Sequence, residues 1–244
     1  MHVMGKFFFN KHLNVNNALE VDLNIDKLKE FEIIKKSYLW GTNKDIFPSE
    51  KFTSLRPNWG GDLEWISANN IETYNLFFKA FRKTGLNELL KDTIEYKNQL
   101  RLYAGFFLKR SSSKKNFHMD WNAQLENNAF TLLTPLYQED DALHLIYMDI
   151  SGKECKYEYE VGKGIVFGSE FNHSTEAGKS LNASILLCFQ FGTDLEKFNS
   201  GIHSAMGTQT PFMILPDGRY ITNKKNKPKI TTYSVPWGAN DIQF

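Results

Sequence analysis

The sequence of 244 residues is poor in cysteine, and this narrows the kinds of site that the protein can build. Its two cysteines, Cys155 and Cys188, lie in apolar, strand-like runs and form no Cys-x-x-Cys spacing. Structural zinc sites, iron–sulfur clusters and disulfide frameworks need more cysteines, or cysteines more closely spaced. We therefore expect none of these three kinds of site.

An excess of one charge sign is also missing. The chain has 29 Lys plus Arg against 28 Asp plus Glu, which leaves a formal net charge of +1. No long-range field then attracts the protein to a phosphate backbone or to anionic lipid. We expect neither a nucleic acid nor a membrane as partner. The aromatic content of 14% can supply apolar walls for a small metabolite, a free amino acid or a peptide side chain.

Long apolar runs and several catalytic signatures are absent from the sequence. No run approaches the roughly 18 apolar residues that span a bilayer. The opening residues lack the apolar stretch of a secretory signal peptide, so we expect a cytoplasmic protein. We find no Gly-x-Ser-x-Gly motif, phosphate loop or dinucleotide fingerprint, which disfavours the enzyme classes that depend on them.

The hydrophobic period changes near residue 100. Before it, apolar residues recur at helical spacing over 25–38 and 69–85, and a third helix is predicted at about 87–96. We therefore predict that 1–99 is a helical N-terminal segment packed on the rest of the chain. A loop at 56–62, rich in Gly and Pro, is either a plain connector or a cover over a ligand.

After residue 100 the apolar runs are short and alternating, which is typical of strands. The predicted strands are 100–109, 116–121, 128–137, 142–149, 154–161, 164–168 and 183–192. Together they predict a mainly β fold, an antiparallel two-sheet roll over 100–244 with helices on one outer face. A helix near 195–205 and a hairpin that turns at 216–218 complete what we expect to be a single catalytic domain.

Residues 117–122 read Phe-His-Met-Asp-Trp-Asn. On an extended strand, His118 and Asp120 project from one face, with Met119 and Trp121 on the other. A His-x-Asp pair is common by chance, so a third ligand is needed to indicate a metal site. His173 supplies it, because it follows a strand that ends in glycine and stands 53 residues after Asp120 (173 − 120). Two imidazoles and one carboxylate form the ligand set of non-haem Fe(II) oxygenases.

Residues 100–194 resemble the Fe(II)/2-oxoglutarate-dependent oxygenase superfamily, whose His-x-Asp…His triad lies on a double-stranded β-helix, a jelly-roll or cupin-like fold. His118, Asp120 and His173 match that triad in order, approximate spacing and strand context. The segment Leu102-Tyr103-Ala104-Gly105 is similar to the strand of prolyl-hydroxylase-like members in which a tyrosine bonds the cosubstrate. The resemblance implies an Fe(II) site formed by the triad, with 2-oxoglutarate and O2 as cosubstrates. In halogenating relatives a small residue replaces the carboxylate, so Asp120 implies hydroxylation, or desaturation, of a C–H bond.

One feature departs from the superfamily's pattern. Members commonly carry an Arg or Lys about ten to fifteen residues after the distal histidine, where it pairs with the far carboxylate of 2-oxoglutarate. Positions 183–188 hold no cation, and no Lys or Arg occurs between Asp120 and Gly152. If 2-oxoglutarate binds, the first candidate for its anchor is Arg101, on the same alternating face as Tyr103. Further candidates are the cations Arg110 and Lys179 and the hydroxyl donors Thr131 and Ser184.

Two alternatives to a 2-oxoglutarate-dependent oxygenase stay open. The missing basic residue favours a cupin-like metal-dependent dioxygenase or isomerase that does not use 2-oxoglutarate. A roll-shaped binding module without metal is the third interpretation. Iron content separates the binding module from the two enzymes, and succinate release separates the two enzymes from each other.

Overall fold

The computed structural model describes residues 6–23, 52–55, 64–138, 142–207, 209–224 and 227–234. Over 53–55, at 64 and over 109–112, 180–184, 223–224 and 227–234 it describes the backbone alone. The helix predicted over 25–38 and the loop predicted at 56–62 lie outside these residues. The described helices are α1 (Ile71–Arg82), α2 (Leu86–Leu90) and α3 (Asn199–Met206). No helix in these ranges is long and apolar enough to cross a membrane.

Strands dominate the described part of the chain. In chain order they are β1 (Phe9–Asn10), β2 (Val15–Asn16), β3 (Ala18–Asp22), β4 (Phe52–Leu55), β5 (Glu64–Ala68), β6 (Arg101–Ser113), β7 (Ala129–Gln138), β8 (Leu145–Met148), β9 (Glu154–Tyr157), β10 (Lys163–Phe167), β11 (His173–Thr175), β12 (Gly178–Gly192), β13 (Phe212–Ile214), β14 (Arg219–Lys224) and β15 (Lys227–Ser234). All the pairings between them are antiparallel.

Two sheets form the roll. The larger has seven strands in the order β3-β10-β7-β12-β6-β5-β4, and the smaller has three in the order β11-β8-β9. A separate three-stranded sheet, β13-β14-β15, includes the predicted hairpin, whose turn contains Gly218 at φ 89°. The crossovers from one sheet to the other are those of a jelly roll, so the predicted mainly β fold is confirmed.

Three details of the predicted elements are wrong. Residues 116–121 are not a strand, because only His118 pairs, through an isolated bridge to His173. The third predicted helix is shorter than expected, since α2 covers only five residues. The segment before residue 100 is not only helices and loops, because β3, β4 and β5 join the main sheet. These strands have four or five residues, too few to show a two-residue period beside longer helical patterns.

The main sheet has an apolar core on each face. On one face α1 packs through Tyr74, Phe77 and Phe81. Gly105 allows this contact, because a Cβ at that position would overlap the ring of Phe77, which is fully buried. The other face looks into the roll and carries a second apolar cluster that includes Tyr103 and Trp121. Strand β6 therefore separates the helix-bearing layer from the interior of the roll.

A buried carboxylate ties the start of β6 to the end of β12. Asp194 is 7% exposed and accepts three backbone N–H groups, from Lys97 at 2.6 Å, Asn98 at 2.8 Å and Gln99 at 3.3 Å. Beside it, the Tyr103 hydroxyl donates to the carbonyl of Thr193 at 2.9 Å. These bonds fix both strand ends at the boundary of the roll interior.

We expect Asp194→Ala to lower the free energy of unfolding by about 2–4 kcal/mol, because it leaves three backbone N–H groups without their charged acceptor. Urea denaturation followed by circular dichroism measures the change. Asp92→Ala is the matched control, because Asp92 is exposed, and it should stay within about 0.5 kcal/mol of the unaltered protein. Equal stability of the two variants would contradict the assigned role of Asp194.

Candidate metal centre

The site is built on a reciprocal backbone bridge. The N–H of His118 donates to the carbonyl of His173 at 2.9 Å, and the N–H of His173 donates back to His118 at 2.9 Å. Residues paired in this way project their side chains from the same face. The two imidazoles therefore lie side by side, with ring centroids 4.5 Å apart.

Each imidazole is oriented by the backbone two residues earlier in the chain. Nδ1 of His118 lies 2.8 Å from the carbonyl oxygen of Asn116, and Nδ1 of His173 lies 3.1 Å from that of Phe171. A carbonyl accepts only, so Nδ1 carries the proton in both rings. The tautomer thus places a lone pair on Nε2, which is the arrangement that ligating histidines need.

Asp120 completes the group with one carboxylate oxygen. Its Oδ1 lies 3.4 Å from Nε2 of His118 and 3.7 Å from Nε2 of His173. The three candidate ligand atoms all lie within 4.8 Å of one another. The structure therefore brings together the three residues that the sequence singled out. In the described part of the chain they are the one group of three or more His, Cys, Asp or Glu side chains with this geometry.

The contacts between Asp120 and the two imidazoles shift the pKa values of His118 and Asp120. The hydrogen bond to Asp120 raises the pKa of His118 and outweighs the lowering effect of burial. Burial alone would raise the pKa of Asp120, but the two imidazoles and the Thr131 hydroxyl together lower it. Asp120 is therefore ionised at neutral pH, as a metal ligand must be.

The second oxygen of Asp120 faces the main sheet. The Thr131 hydroxyl, on β7, donates to Oδ2 at 2.7 Å, and the indole N–H of Trp121 donates to the Thr131 oxygen at 3.1 Å. The sequence prediction placed Trp121 on the same face as Met119. Instead, Trp121 is 1% exposed and Met119 is 56% exposed, because the chain bends after the bridge at His118. The predicted alternation holds for His118 and Asp120 and fails for these two neighbours.

Apolar groups surround the histidine that is deeper in the roll. The rings of Phe167 and Phe171 lie 4.6 and 5.5 Å from that of His173, centroid to centroid. Cys188, on β12, is also buried, and burial together with the nearby Asp120 charge raises its pKa well above the usual range. Its thiol is therefore neutral, so the charge of the site is concentrated in the triad.

The residues predicted to bind the cosubstrate are not gathered at one point as the triad is. Arg101 is buried at the start of β6, where its charge acts on Tyr74 and Tyr103. Tyr103 lies against Trp121, with ring centroids 6.2 Å apart. Thr131 contacts Asp120 directly. Lys179 is exposed, and the side chains of Arg110 and Ser184 lie outside the described part of the structure.

Sequence reasoning did not identify Trp121 as a hydrogen-bond donor near the site. The position of Trp121 next to Asp120 indicates that its indole N–H lies near the site, and a buried indole N–H needs an acceptor. Nothing local indicates that this acceptor is Thr131, ten residues further on.

The sequence itself matches no family model. No curated protein matches it either. Solved structures do resemble it: HygX from Streptomyces hygroscopicus, with nickel and 2-oxoglutarate bound, has a TM-score of 0.53 at 12% identity, over 72% of this chain and 83% of that one. The epimerase SnoN from nogalamycin biosynthesis, in complex with Fe3+ and alpha ketoglutarate, has a TM-score of 0.52 at 12% identity, over 73% and 79%. EctD from S. alaskensis has a TM-score of 0.50 at 9% identity, over 73% of each chain. The chain therefore has the fold of these solved structures, and it carries the cluster of His118, Asp120 and His173.

Proposed function

We propose that the protein is a mononuclear, non-haem Fe(II) oxygenase that uses 2-oxoglutarate and O2 to hydroxylate a C–H bond of a small molecule. The observation that carries this proposal is the convergence of Nε2 of His118, Nε2 of His173 and Oδ1 of Asp120 within this fold. Two imidazoles and one carboxylate on one face of a metal leave three coordination positions open.

The donor atoms fit a metal of this kind. Bonds of about 2.1 Å at right angles put neighbouring ligand atoms about 3.0 Å apart. The separations of 3.4 and 3.7 Å from Asp120 Oδ1 need only small side-chain shifts to reach that value. Cysteine is not among the three donors, and nitrogen with carboxylate oxygen suits iron better than it suits a soft metal.

The roles of the protein groups follow from their positions. His118 and His173 hold the metal through Nε2, and their Nδ1 contacts fix the direction of each ring. Asp120 contributes one negative charge and one ligand oxygen. The iron, with 2-oxoglutarate and O2, would supply the oxidative chemistry. The aromatic walls beside His173 exclude water from one side of the centre.

Arg101 is our candidate anchor for the far carboxylate of 2-oxoglutarate. A buried carboxylate without a cation loses several kcal/mol of solvation, so a positive partner is needed. Of the residues whose side chains the structure describes, Arg101 is the one buried Arg or Lys. It stands at the start of β6, two residues before Tyr103, which borders the roll interior beside Trp121.

A small molecule is the proposed substrate. The related structures point the same way, because HygX was solved with hygromycin B and SnoN with nogalamycin RO. The near-neutral charge of this chain gives no reason to favour a polyanion over a compact metabolite or amino acid.

The metal prediction is that the purified protein binds one Fe(II) per chain, measured by elemental analysis after anaerobic loading. His118→Ala or His173→Ala should weaken binding by at least about 100-fold, because two ligands remain where three are needed. His12→Ala is the matched control, since His12 is exposed and remote in sequence from the triad. Full iron occupancy in both triad variants, with an unchanged circular dichroism spectrum, would refute the site.

The cosubstrate prediction concerns the iron-loaded protein without oxygen. Millimolar 2-oxoglutarate should produce the weak visible charge-transfer band of a chelated oxo acid, because two open positions accept its two oxygen donors. Absence of the band in protein that holds iron would favour the cupin-like alternative, which uses no 2-oxoglutarate.

The same titration tests the anchor. Arg101→Met should raise the half-saturating concentration of 2-oxoglutarate at least about tenfold, the effect of losing one charge-assisted hydrogen bond. Lys179→Met is the comparison, since it removes the exposed alternative cation. If the half-saturating concentration of 2-oxoglutarate rises in the Lys179 variant and not in the Arg101 variant, the anchor is Lys179 and not Arg101.

The reaction prediction follows from Asp120. Because the carboxylate occupies the position that is vacant in halogenating relatives, the product should gain one oxygen atom derived from O2 and no chlorine, even at high chloride. Mass spectrometry of the product made under 18O2 checks this. Asp120→Gly should lose most of the hydroxylase activity. A chlorinated product from the unaltered protein would show that Asp120 is not a metal ligand.

A further inference from the structure

The two oxygens of Asp120 have different partners. Oδ1 faces Nε2 of His118 and Nε2 of His173 at 3.4 and 3.7 Å. Oδ2 accepts the hydroxyl proton of Thr131 at 2.7 Å. The carboxylate is thus divided between a metal-facing oxygen and a sheet-facing oxygen.

The direction of the Thr131 hydroxyl is fixed by its second contact. An indole N–H can only donate, so the bond from Trp121 at 3.1 Å uses a lone pair of the Thr131 oxygen. The hydroxyl proton is then available to Asp120, and an ionised carboxylate can only accept it. Trp121 and Thr131 are both 1% exposed, so water does not compete for these bonds.

We propose that Thr131 is a positioning residue that keeps Asp120 a one-oxygen ligand and thereby preserves the open metal positions. The inference deepens the proposed function and rests on it. A carboxylate can bind a metal through one oxygen or through two. Held by Thr131, Oδ2 cannot turn toward the metal without breaking a charge-assisted hydrogen bond to a buried hydroxyl.

The hydrogen bond from Thr131 is expected to affect the binding of 2-oxoglutarate more than the binding of the metal. 2-Oxoglutarate needs two of the three positions left open by the triad, and O2 needs the third. A second oxygen from Asp120 would occupy one of these positions. Loss of the Thr131 hydroxyl is therefore expected to leave iron binding in place while it weakens the chelation of 2-oxoglutarate.

Thr134 provides a matched control on the same strand. It is also 1% exposed, and its hydroxyl donates to the carbonyl of Lys163 at 2.7 Å. Thr134→Val removes a buried hydroxyl of the same kind without touching Asp120. Any general effect of such a change on β7 will therefore appear in both valine variants.

The experiment titrates 2-oxoglutarate into anaerobic, Fe(II)-loaded protein and records the charge-transfer band. Thr131→Val should bind one Fe(II) but need at least about tenfold more 2-oxoglutarate, equivalent to about 1.4 kcal/mol. Thr131→Ser keeps the hydroxyl and should stay within a few-fold of the unaltered protein, as should Thr134→Val. Iron-loaded Thr131→Val with an unaltered titration would overturn the proposal.

Co(II) substitution provides a readout that does not need the cosubstrate. The absorption spectrum of bound Co(II) reports the ligand set and its geometry, so Thr131→Val should differ from the unaltered protein and Thr131→Ser should not. Identical Co(II) spectra would overturn the role of Thr131 even if 2-oxoglutarate never binds, whereas absence of bound metal in the unaltered protein would reject the proposed function itself. If Thr131→Val does not fold, Thr131→Ala serves in both measurements with the same expected results.

Discussion

The reciprocal pair of backbone hydrogen bonds between His118 and His173 is the constraint on which the site depends. It joins two segments that are 55 residues apart in sequence (173 − 118). One belongs to β11 of the smaller sheet, and the other is an irregular stretch that forms no strand of its own. The bridge makes the side chains of both residues project to one side, and the position of Asp120, two residues further on, then brings a carboxylate to the same point. Because β11 is only three residues long, the bridge depends on the pairing of β11 with β8 and on the apolar packing around His173.

Without a metal, the same atoms form a proton-binding site. The carboxylate of Asp120 raises the pKa of His118, and the imidazoles lower that of Asp120, so the group favours a positive charge between the rings. A proton on Nε2 of His118 and a metal ion therefore compete for one position. Burial opposes this preference, because it lowers the pKa of His118 and raises that of Asp120, but the contacts among these groups and with Thr131 outweigh it. Selection of a cation is thus a property of the whole pocket and not of the three ligand atoms alone.

The sequence predicted the roll and the triad because both leave local signatures. Alternating runs from residue 100 onward predicted most of the strands, and a His-x-Asp pair followed by His173 predicted the three side chains that the structure brings together. The predictions from the sequence were wrong where contacts with residues distant in the chain determine the structure. Strand β3 lies in the segment that was predicted to be helical, and it pairs with β10, which is more than 140 residues further on. Trp121 looks like the partner of Met119 on one face, but the bend at Asp120 sends it into the core. Thr131 was expected to serve the cosubstrate, and its contact with Asp120 depends on the position of β7 relative to that bend.

The hydrogen bonds at Nδ1 of the two histidines are each made within three consecutive residues. Each ring is held by a carbonyl of its own tripeptide, Asn116–His118 in one case and Phe171–His173 in the other. The direction of the lone pairs is therefore set by six residues, once the packing around His173 holds the backbone bridge in place. Substitutions in the walls away from His173 can change the size and polarity of the space above the three side chains without changing the direction of the lone pairs. A fold arranged in this way can diversify the molecules it accepts without having to rebuild its metal site each time.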